Sequence, residues 1–326
     1  MIGYAARRLL LMIPMLFGII VLVFLMLNVI GGDQALVLLG QEGTPEQLEA
    51  LRRELLLDQP LTVQFAAYIG KLAQGDLGYS LFQSQSVLEA VGGRLGATLE
   101  LAIVALLIAI LIGVPLGILA AVRHGRASDI FAMLFAQLGI SMPVFWMGIL
   151  LMFLFAVTLD WLPAIGRGEP LLVAIVDLFR GNPSVLLDSL SHLALPAITL
   201  GVGAAAIISR LVRSAMLDTL SLDFVRTAHA KGLGPARVTL AHVLRNALLP
   251  VVSMIGLRFG ALLGGAVLTE GIFGWPGLGQ LSVAAINQRD IPLIQGVVLT
   301  FALMFALVNL IVDLAYAAID PRIRYD

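Results

Sequence analysis

Few residues of this chain can do chemistry, and they concentrate in one polar island, Asp223-Phe-Val-Arg-Thr-Ala-His-Ala-Lys-Gly-Leu-Gly-Pro235. Its charges are not arranged to make or break bonds. The four histidines, His124, His192, His229 and His242, are scattered, and none falls in the His-Glu-x-x-His pattern of a helical zinc site. There is no cysteine, which excludes thiol catalysis, disulfide scaffolds and Cys-ligated zinc. No Gly-x-x-x-x-Gly-Lys-Ser/Thr run is present, so the chain has no phosphate cradle of its own. Ser141 lacks the Gly-x-Ser-Gly setting of an intramembrane serine protease, and His192 lies at the edge of an apolar run. What remains is the chemistry of recognition: a short charged segment that meets something soluble.

The island interrupts a very apolar chain. Of 326 residues, 60% are hydrophobic and 13% charged, with a mean hydropathy of +0.99. Soluble domains are about half apolar and about a quarter charged, so this is an integral membrane protein. The net charge of -1 offers no basic field for nucleic acid. Apolar runs at Leu9–Ile30, Ala97–Val122, Ile130–Leu159, Leu193–Ser209, Ala247–Thr269 and Ile291–Val312 predict six transmembrane helices. Pro143 predicts a kink in the third. The first run follows Arg7 and Arg8 and is longer than a secretory signal's apolar core. Asn28–Asp33 is a poor cleavage site, so the run is read as a retained span. Arg and Lys between the runs are biased toward the side that holds both termini, which predicts cytoplasmic N- and C-termini. A secondary carrier would need acids at mid-membrane, and these runs have none there. The reading is an all-α polytopic protein with a first transmembrane helix at 1–30 and an extracytoplasmic helical segment at 31–96. A membrane core follows at 97–319, with a cytoplasmic loop at 210–245 and a cytoplasmic tail at 320–326. In the outer segment, Thr44 reads as an N-cap with Pro45 at the first helical position, Glu46 early and Arg52 and Arg53 late.

Within the island, Asp223 is expected to cap a short helix. Phe224, Val225, Ala228 and Leu233 supply an apolar stripe, and Lys231 closes the last turn. Gly232 takes the left-handed conformation that ends a helix, and Gly234-Pro235 starts the next. Small residues at Thr227, Ala228 and Ala230 suit a helix that enters a protein groove, and the alternative is a helix lying on lipid headgroups. Elsewhere, Arg258 falls inside the fifth run, where a charge either lines a translocation pathway or joins an ion pair. Glu270 and Asp313 read as solvated span ends, with a pathway role for either as the alternative. Gly271–Gly279, with Phe273, Trp275 and Pro276, reads as a tight outer turn serving as a gate or as an aromatic anchor at the interface. Gly260, Gly264 and Gly265 predict close helix packing. Asn309 and Gln295 are expected to bond between helices.

The run from Arg226 to Pro235, followed by Arg245-Asn-Ala-Leu-Leu-Pro250, resembles the cytoplasmic signature of binding-protein-dependent ABC permeases. It is most similar to the dipeptide/oligopeptide/nickel branch. Further matching motifs occur in the expected order: Thr44–Leu61, Gly75-Asp-Leu-Gly-Tyr-Ser80, Ala97-Thr-Leu-Glu-Leu101, Leu193–Gly201, Gly271–Gly279 and Asp320-Pro-Arg-Ile-Arg324. Two departures are Arg226, where the general signature has an acid, and Leu56, where the branch often has glycine. The resemblance implies a type I ABC importer permease fold and a transport subunit that is not an enzyme and holds no cofactor. It implies as partners a second homologous permease subunit, two cytoplasmic ABC ATPase subunits that use ATP and Mg, and an extracytoplasmic substrate-binding protein. Asp223, Phe224, Arg226, Thr227, Ala228, Lys231, Gly232, Leu233 and Gly234 would then form the coupling helix and turn that seat on an ATPase. The substrate class would be di- or oligopeptides, with nickel chelates, opines and oligosaccharides as alternatives within the family.

Overall fold

Backbone amides in hydrocarbon must be satisfied within their own segment, and this chain meets that demand with helices. The computed structural model describes residues 2–30, 34–39 and 44–319. The expected tail at 320–326 with its Asp320–Arg324 motif, and Gly31–Asp33, lie outside the described residues. The chain begins with α1 (Ile2–Ile30), α2 (Gln34–Leu39), α3 (Pro45–Glu54) and α4 (Leu61–Ala73). An antiparallel hairpin follows, β1 (Tyr79–Ser80) with β2 (Gln85–Ser86), pairing Tyr79 with Ser86 and Ser80 with Gln85. Then come α5 (Val87–Val122), α6 (Ala127–Ser141), α7 (Val144–Met152), α8 (Leu171–Phe179) and α9 (Pro183–Leu220). The chain continues through α10 (Asp223–Ala230), α11 (Pro235–Arg237), α12 (Leu244–Ile272), α13 (Leu278–Gln288) and α14 (Ile291–Ile319). Wide π-helical turns run on from α7 at Phe153–Thr158 and lead into α12 at Val238–Val243.

Five helices, α1, α5, α9, α12 and α14, are long and apolar enough to cross a bilayer. The sixth crossing is made by α6 and α7 together, which bend by 103° at their junction. The expected kink is thus a break. Pro143 is the N-cap of α7, and a residue before proline is steered out of the helical region. The segment still joins the two ends of the bundle. At one end Asp129 of α6 is bonded to Arg213 of α9, and at the other Gly166 donates its N–H to the Phe273 carbonyl.

Two helices, α5 and α9, start about ten residues before their apolar runs. Ser86 caps α5 in a reciprocal capping box with Glu89, so the helix begins well before Ala97. Asn182-Pro183 starts α9 before the expected Leu193, and nothing breaks the helix until Ser221. Residues 210–220, expected in a loop, are therefore helical. The expected start of α3 is observed, with Thr44 accepting from the Gln47 N–H and Gln47 returning a bond to the Thr44 N–H.

Glycine and alanine set the core. Lipid gives no hydrophobic drive for helix pairing, so close backbone approach must supply dispersion contacts. A Cβ on Gly113 would lie 2.7 Å from the Ala205 carbonyl oxygen, and one on Gly117 2.6 Å from that of Ser209. Gly201 meets the Ala105 carbonyl at 2.9 Å from the reverse direction. These contacts seat α5 against α9, with Ala105, Ala109, Ala197 and Ala205 buried between them. Gly256 and Gly260 do the same for α12 on Val312 and Phe305 of α14. Gly264, by contrast, has open space beside it, and Gly265 only touches Leu200.

The glycines therefore divide into two kinds. Gly117→Leu should destabilise the purified chain by about 3 kcal/mol through overpacking. Gly93→Ala, in the same helix but with nothing within 4 Å, should stabilise it by up to about 1 kcal/mol through helix propensity. Thermal unfolding in detergent checks the pair, and shifts of the same sign would refute the packing account.

Candidate functional site

The polar island folds as α10, and the 3.6-residue period divides its residues between two faces. Val225 and Ala228 point inward and are buried with Met216, Val238 and Val243. Leu233, just past the helix, packs partly on the same cluster. Phe224, Arg226, Thr227 and Lys231 face outward, and Phe224 keeps 38% of its surface exposed. Ala228, expected on the docking face, instead anchors the helix to its own chain. Asp223 does not cap the helix either. Leu222 is the N-cap, with no side-chain bond, and Asp223 is already the first helical residue. Its carboxylate lies 3.4 Å from the Arg226 guanidinium, and its carbonyl accepts from the Thr227 hydroxyl. Gly232 ends the helix at φ +76°, a conformation that costs a residue with a Cβ about 1 kcal/mol or more. Gly234 and Pro235 then start α11 as expected.

A buried ion pair holds this end of the bundle rigid. Asp129, 4% exposed, accepts from Arg213 Nε at 2.6 Å and from a second guanidinium nitrogen at 2.9 Å. It also accepts the Gly125 N–H at 3.0 Å, with His124 Nδ1 at the same distance. The pair ties the α5–α6 turn to α9, the helix that leads directly into α10.

Arg258 is the central residue of α12, half-buried. It shares a helical stripe with Val251, Ile255 and Leu262, which pack on the main core cluster. Among the described residues it makes no hydrogen bond or ion pair. Asn309 and Gln295, expected to bond between helices, likewise make no side-chain hydrogen bond among the described residues. Asp313, expected as a solvated end, pairs with Arg8 at 3.0 Å.

At the opposite end, Glu270 is neither solvated nor open to a pathway: it is 0% exposed. The N-cap of α13 is Gly277, which has no side chain to bond the first N–H groups of the helix. Glu270 replaces it. One carboxylate oxygen accepts the N–H of Gly279 at 2.7 Å and of Gln280 at 3.1 Å. The other accepts the Thr98 hydroxyl at 2.7 Å, and Thr98 Oγ1 in turn accepts the Leu278 N–H at 2.8 Å. A Cβ on Gly277 would collide with that carboxylate, and one on Gly279 with the backbone of Val267. The outer-turn aromatics are also interior. Phe273 and Trp275 are 2% and 0% exposed, while Pro276 is half-buried. Trp275 Nε1 donates to the Ala97 carbonyl at 2.9 Å, and the Arg167 guanidinium lies 5.4 Å above its ring. Arg167 is paired with Glu100, whose other oxygen accepts the Leu171 N–H. An anchor in lipid headgroups is therefore excluded for Trp275: the ring is filled on both sides by its own protein.

Thr98, Glu100, Asp129, Arg167 and Arg213 escaped the sequence reading because each looks like an ordinary helix-end residue. One signal was available. Gly277-Leu-Gly279 opens a helix without a Ser, Thr, Asp or Asn cap, so an acid from elsewhere had to supply one.

The architecture is that of a polytopic helical bundle, with the Glu270 network at one end and the two-faced helix α10 at the other. Comparison with known proteins specifies the class. Residues 113–325 match the family described as the inner membrane component of binding-protein-dependent transport systems, and residues 1–102 match its N-terminal region. The chain belongs to this family. It is 43% identical to the dipeptide transport system permease protein DppB of Alkalihalophilus pseudofirmus, over all of both chains. It is 44% identical to the di/tripeptide permease protein DppB of Pseudomonas aeruginosa, over 100% of this chain and 99% of that one. It is also 43% identical to the glutathione permease protein GsiC of Escherichia coli, over all of both. Its fold is similar to that of the MetNI methionine ABC transporter in an inward-facing conformation, with a TM-score of 0.56 at 20% identity, over 72% of this chain and 97% of that one. The chain is a multi-pass inner-membrane subunit of an ABC importer, without an ATPase site of its own.

Glu270→Ala leaves two N–H groups without an acceptor and the buried Thr98 hydroxyl without the acceptor of its proton, and should destabilise the chain by about 3 kcal/mol. Glu46→Ala, on exposed α3, should shift the same unfolding curve by under about 0.5 kcal/mol. Equal shifts for the two variants would remove the capping role.

Proposed function

We propose that this chain forms one half of the translocation pore of an ATP-driven importer of di- or oligopeptides. A second homologous permease supplies the other half. Two cytoplasmic ATPase subunits bind ATP and Mg and work beneath the pair, and an extracytoplasmic binding protein delivers the substrate. Both termini and α10 lie on the cytoplasmic side, and the segment from α2 to β2 lies outside. The peptide class is supported by the substrates in the names of the relatives, dipeptide, di/tripeptide and glutathione.

The observation that carries the coupling role is the two-faced packing of α10. Its inner face is fused to the core through Val225 and Ala228, while Phe224, Arg226, Thr227 and Lys231 stand outward. A helix held this way transmits force. A purely lipid-bound helix would turn its apolar stripe to the bilayer instead. Movement of the ATPases against Asp223–Gly234 is passed to α9, one continuous helix of 38 residues that reaches the outer end. The turn of Phe273, Trp275 and Pro276 moves with that body as the outer gate, held by Glu270 rather than lined by it. Arg258 lines the pathway at mid-membrane and meets the terminal carboxylate of a peptide.

Two experiments test this reading. In liposomes holding the complete transporter, Arg226→Glu and Gly232→Val should each reduce ATP-driven uptake by about tenfold or more, the loss of one charge-assisted contact or one helix end. The complex should still assemble, as gel filtration would report. Undiminished uptake in both variants would eliminate coupling through α10. Arg258→Gln should lower uptake of peptides with a free C-terminal carboxylate while sparing C-terminally amidated ones. An equal loss for both would end the carboxylate assignment.

A further inference from the structure

Among the described residues, a groove of about 690 Å³ lies between α1, α12 and α14, and no residue of α10 or of the Glu270 turn lines it. Its lining is graded along the helix axes. The charged pair Arg8–Asp313 stands at one end, with Ser253 near it on α12. All three lie within about a turn of the ends of their apolar spans, which run Arg7–Met26, Pro250–Ile272 and Ile291–Leu314. That is the depth of lipid headgroups. The rest of the lining is apolar and lies deeper. Met15 and Phe305 are about 10 Å further in at 1.5 Å of rise per residue, and both remain exposed in the groove, as do Leu11 and Leu257.

We propose that this groove is a binding site for a zwitterionic phospholipid, of which phosphatidylethanolamine is the simplest member. Arg8 takes the phosphate, Asp313 takes the ammonium, and one acyl chain follows the apolar lining. Three observations select this occupant over a transmembrane helix of a neighbouring subunit. The mouth presents both signs of charge, 3.0 Å apart, and a zwitterionic headgroup offers both counter-charges in one molecule. A helix terminus offers only one sign. The polarity runs from charged to apolar along the bilayer normal, as an amphiphile requires. Met12 and Met15 supply unbranched, adaptable side chains, which suit a flexible tail better than the fixed ridges of a helix. Gly256 and Gly260 hold α12 against α14 beside the groove, so the slot is part of the packed bundle. The inference requires only that the chain spans a bilayer, and does not depend on the peptide or coupling assignments.

The test uses the complete transporter, purified in mild detergent from a membrane containing phosphatidylethanolamine and phosphatidylglycerol, with retained lipids quantified by mass spectrometry. The native complex should retain phosphatidylethanolamine enriched over the bulk membrane. Asp313→Asn should lower the ratio of retained phosphatidylethanolamine to phosphatidylglycerol by about threefold, the worth of one part-exposed ion pair. Retained lipid that mirrors the bulk membrane in both proteins would overturn the site. A photoreactive amino acid at Leu257 in the otherwise native chain gives an independent reading. A lipid adduct is expected, and an adduct to the second permease would overturn the assignment by naming a protein occupant.

Discussion

α13 starts on a glycine, and the carboxylate that caps it comes from another helix. The end of the bundle that holds α13 depends on that borrowed cap. Glu270 satisfies two N–H groups of α13 and receives the hydroxyl of Thr98, which satisfies a third. Three helices, α5, α12 and α13, are thereby fixed at one point. A buried carboxylate is costly unless every lone pair finds a donor. The glycines at 277 and 279 bring the donors close enough, and Trp275 fills the space above with its indole bonded to Ala97. The turn is hard because its parts cannot be exchanged singly.

The other end is built on different terms. There the bidentate Asp129–Arg213 pair joins the α5–α6 turn to α9, and α10 is held by small apolar contacts alone. Between the two ends, glycine and alanine let α5 and α9 run nearly backbone to backbone. The result is a pair of long helices in close contact, with α9 tied by an ion pair to the α5–α6 turn at one extremity.

Much of the architecture was legible in the sequence because hydrocarbon permits so few solutions. The apolar runs, the Thr44 cap, the left-handed Gly232 and the Gly234-Pro235 restart follow from local rules that the lipid does not alter. Contacts between distant segments were not legible. Glu270 and Asp313 look alike as acids at span ends, yet one is buried in a network and the other pairs at the rim of a groove. Ala228 looked like a docking residue because its smallness suits either side of a helix, and only the packing of Val225 beside it decides which side faces in. Pro143 marked a bend, but its angle depends on how α6 and α7 each pack on α9. At Leu56, the position where related chains often carry glycine, the backbone is left-handed with φ +57°. Leu56 thus holds a backbone conformation that costs a residue with a Cβ about 1 kcal/mol or more.

The wide turn at Val238–Val243 lies on the path from α10 to Arg258. A π-helical stretch holds more residues per turn than the α-helix on either side of it. A shift of register there by one residue rotates the following α-helix about its axis by roughly 100° and moves it by about 1.5 Å along that axis. The link between α10 and Arg258 is in this sense a swivel. Turning the guanidinium to another face of the bundle would thus move α12 along the bilayer normal by less than the length of one side chain.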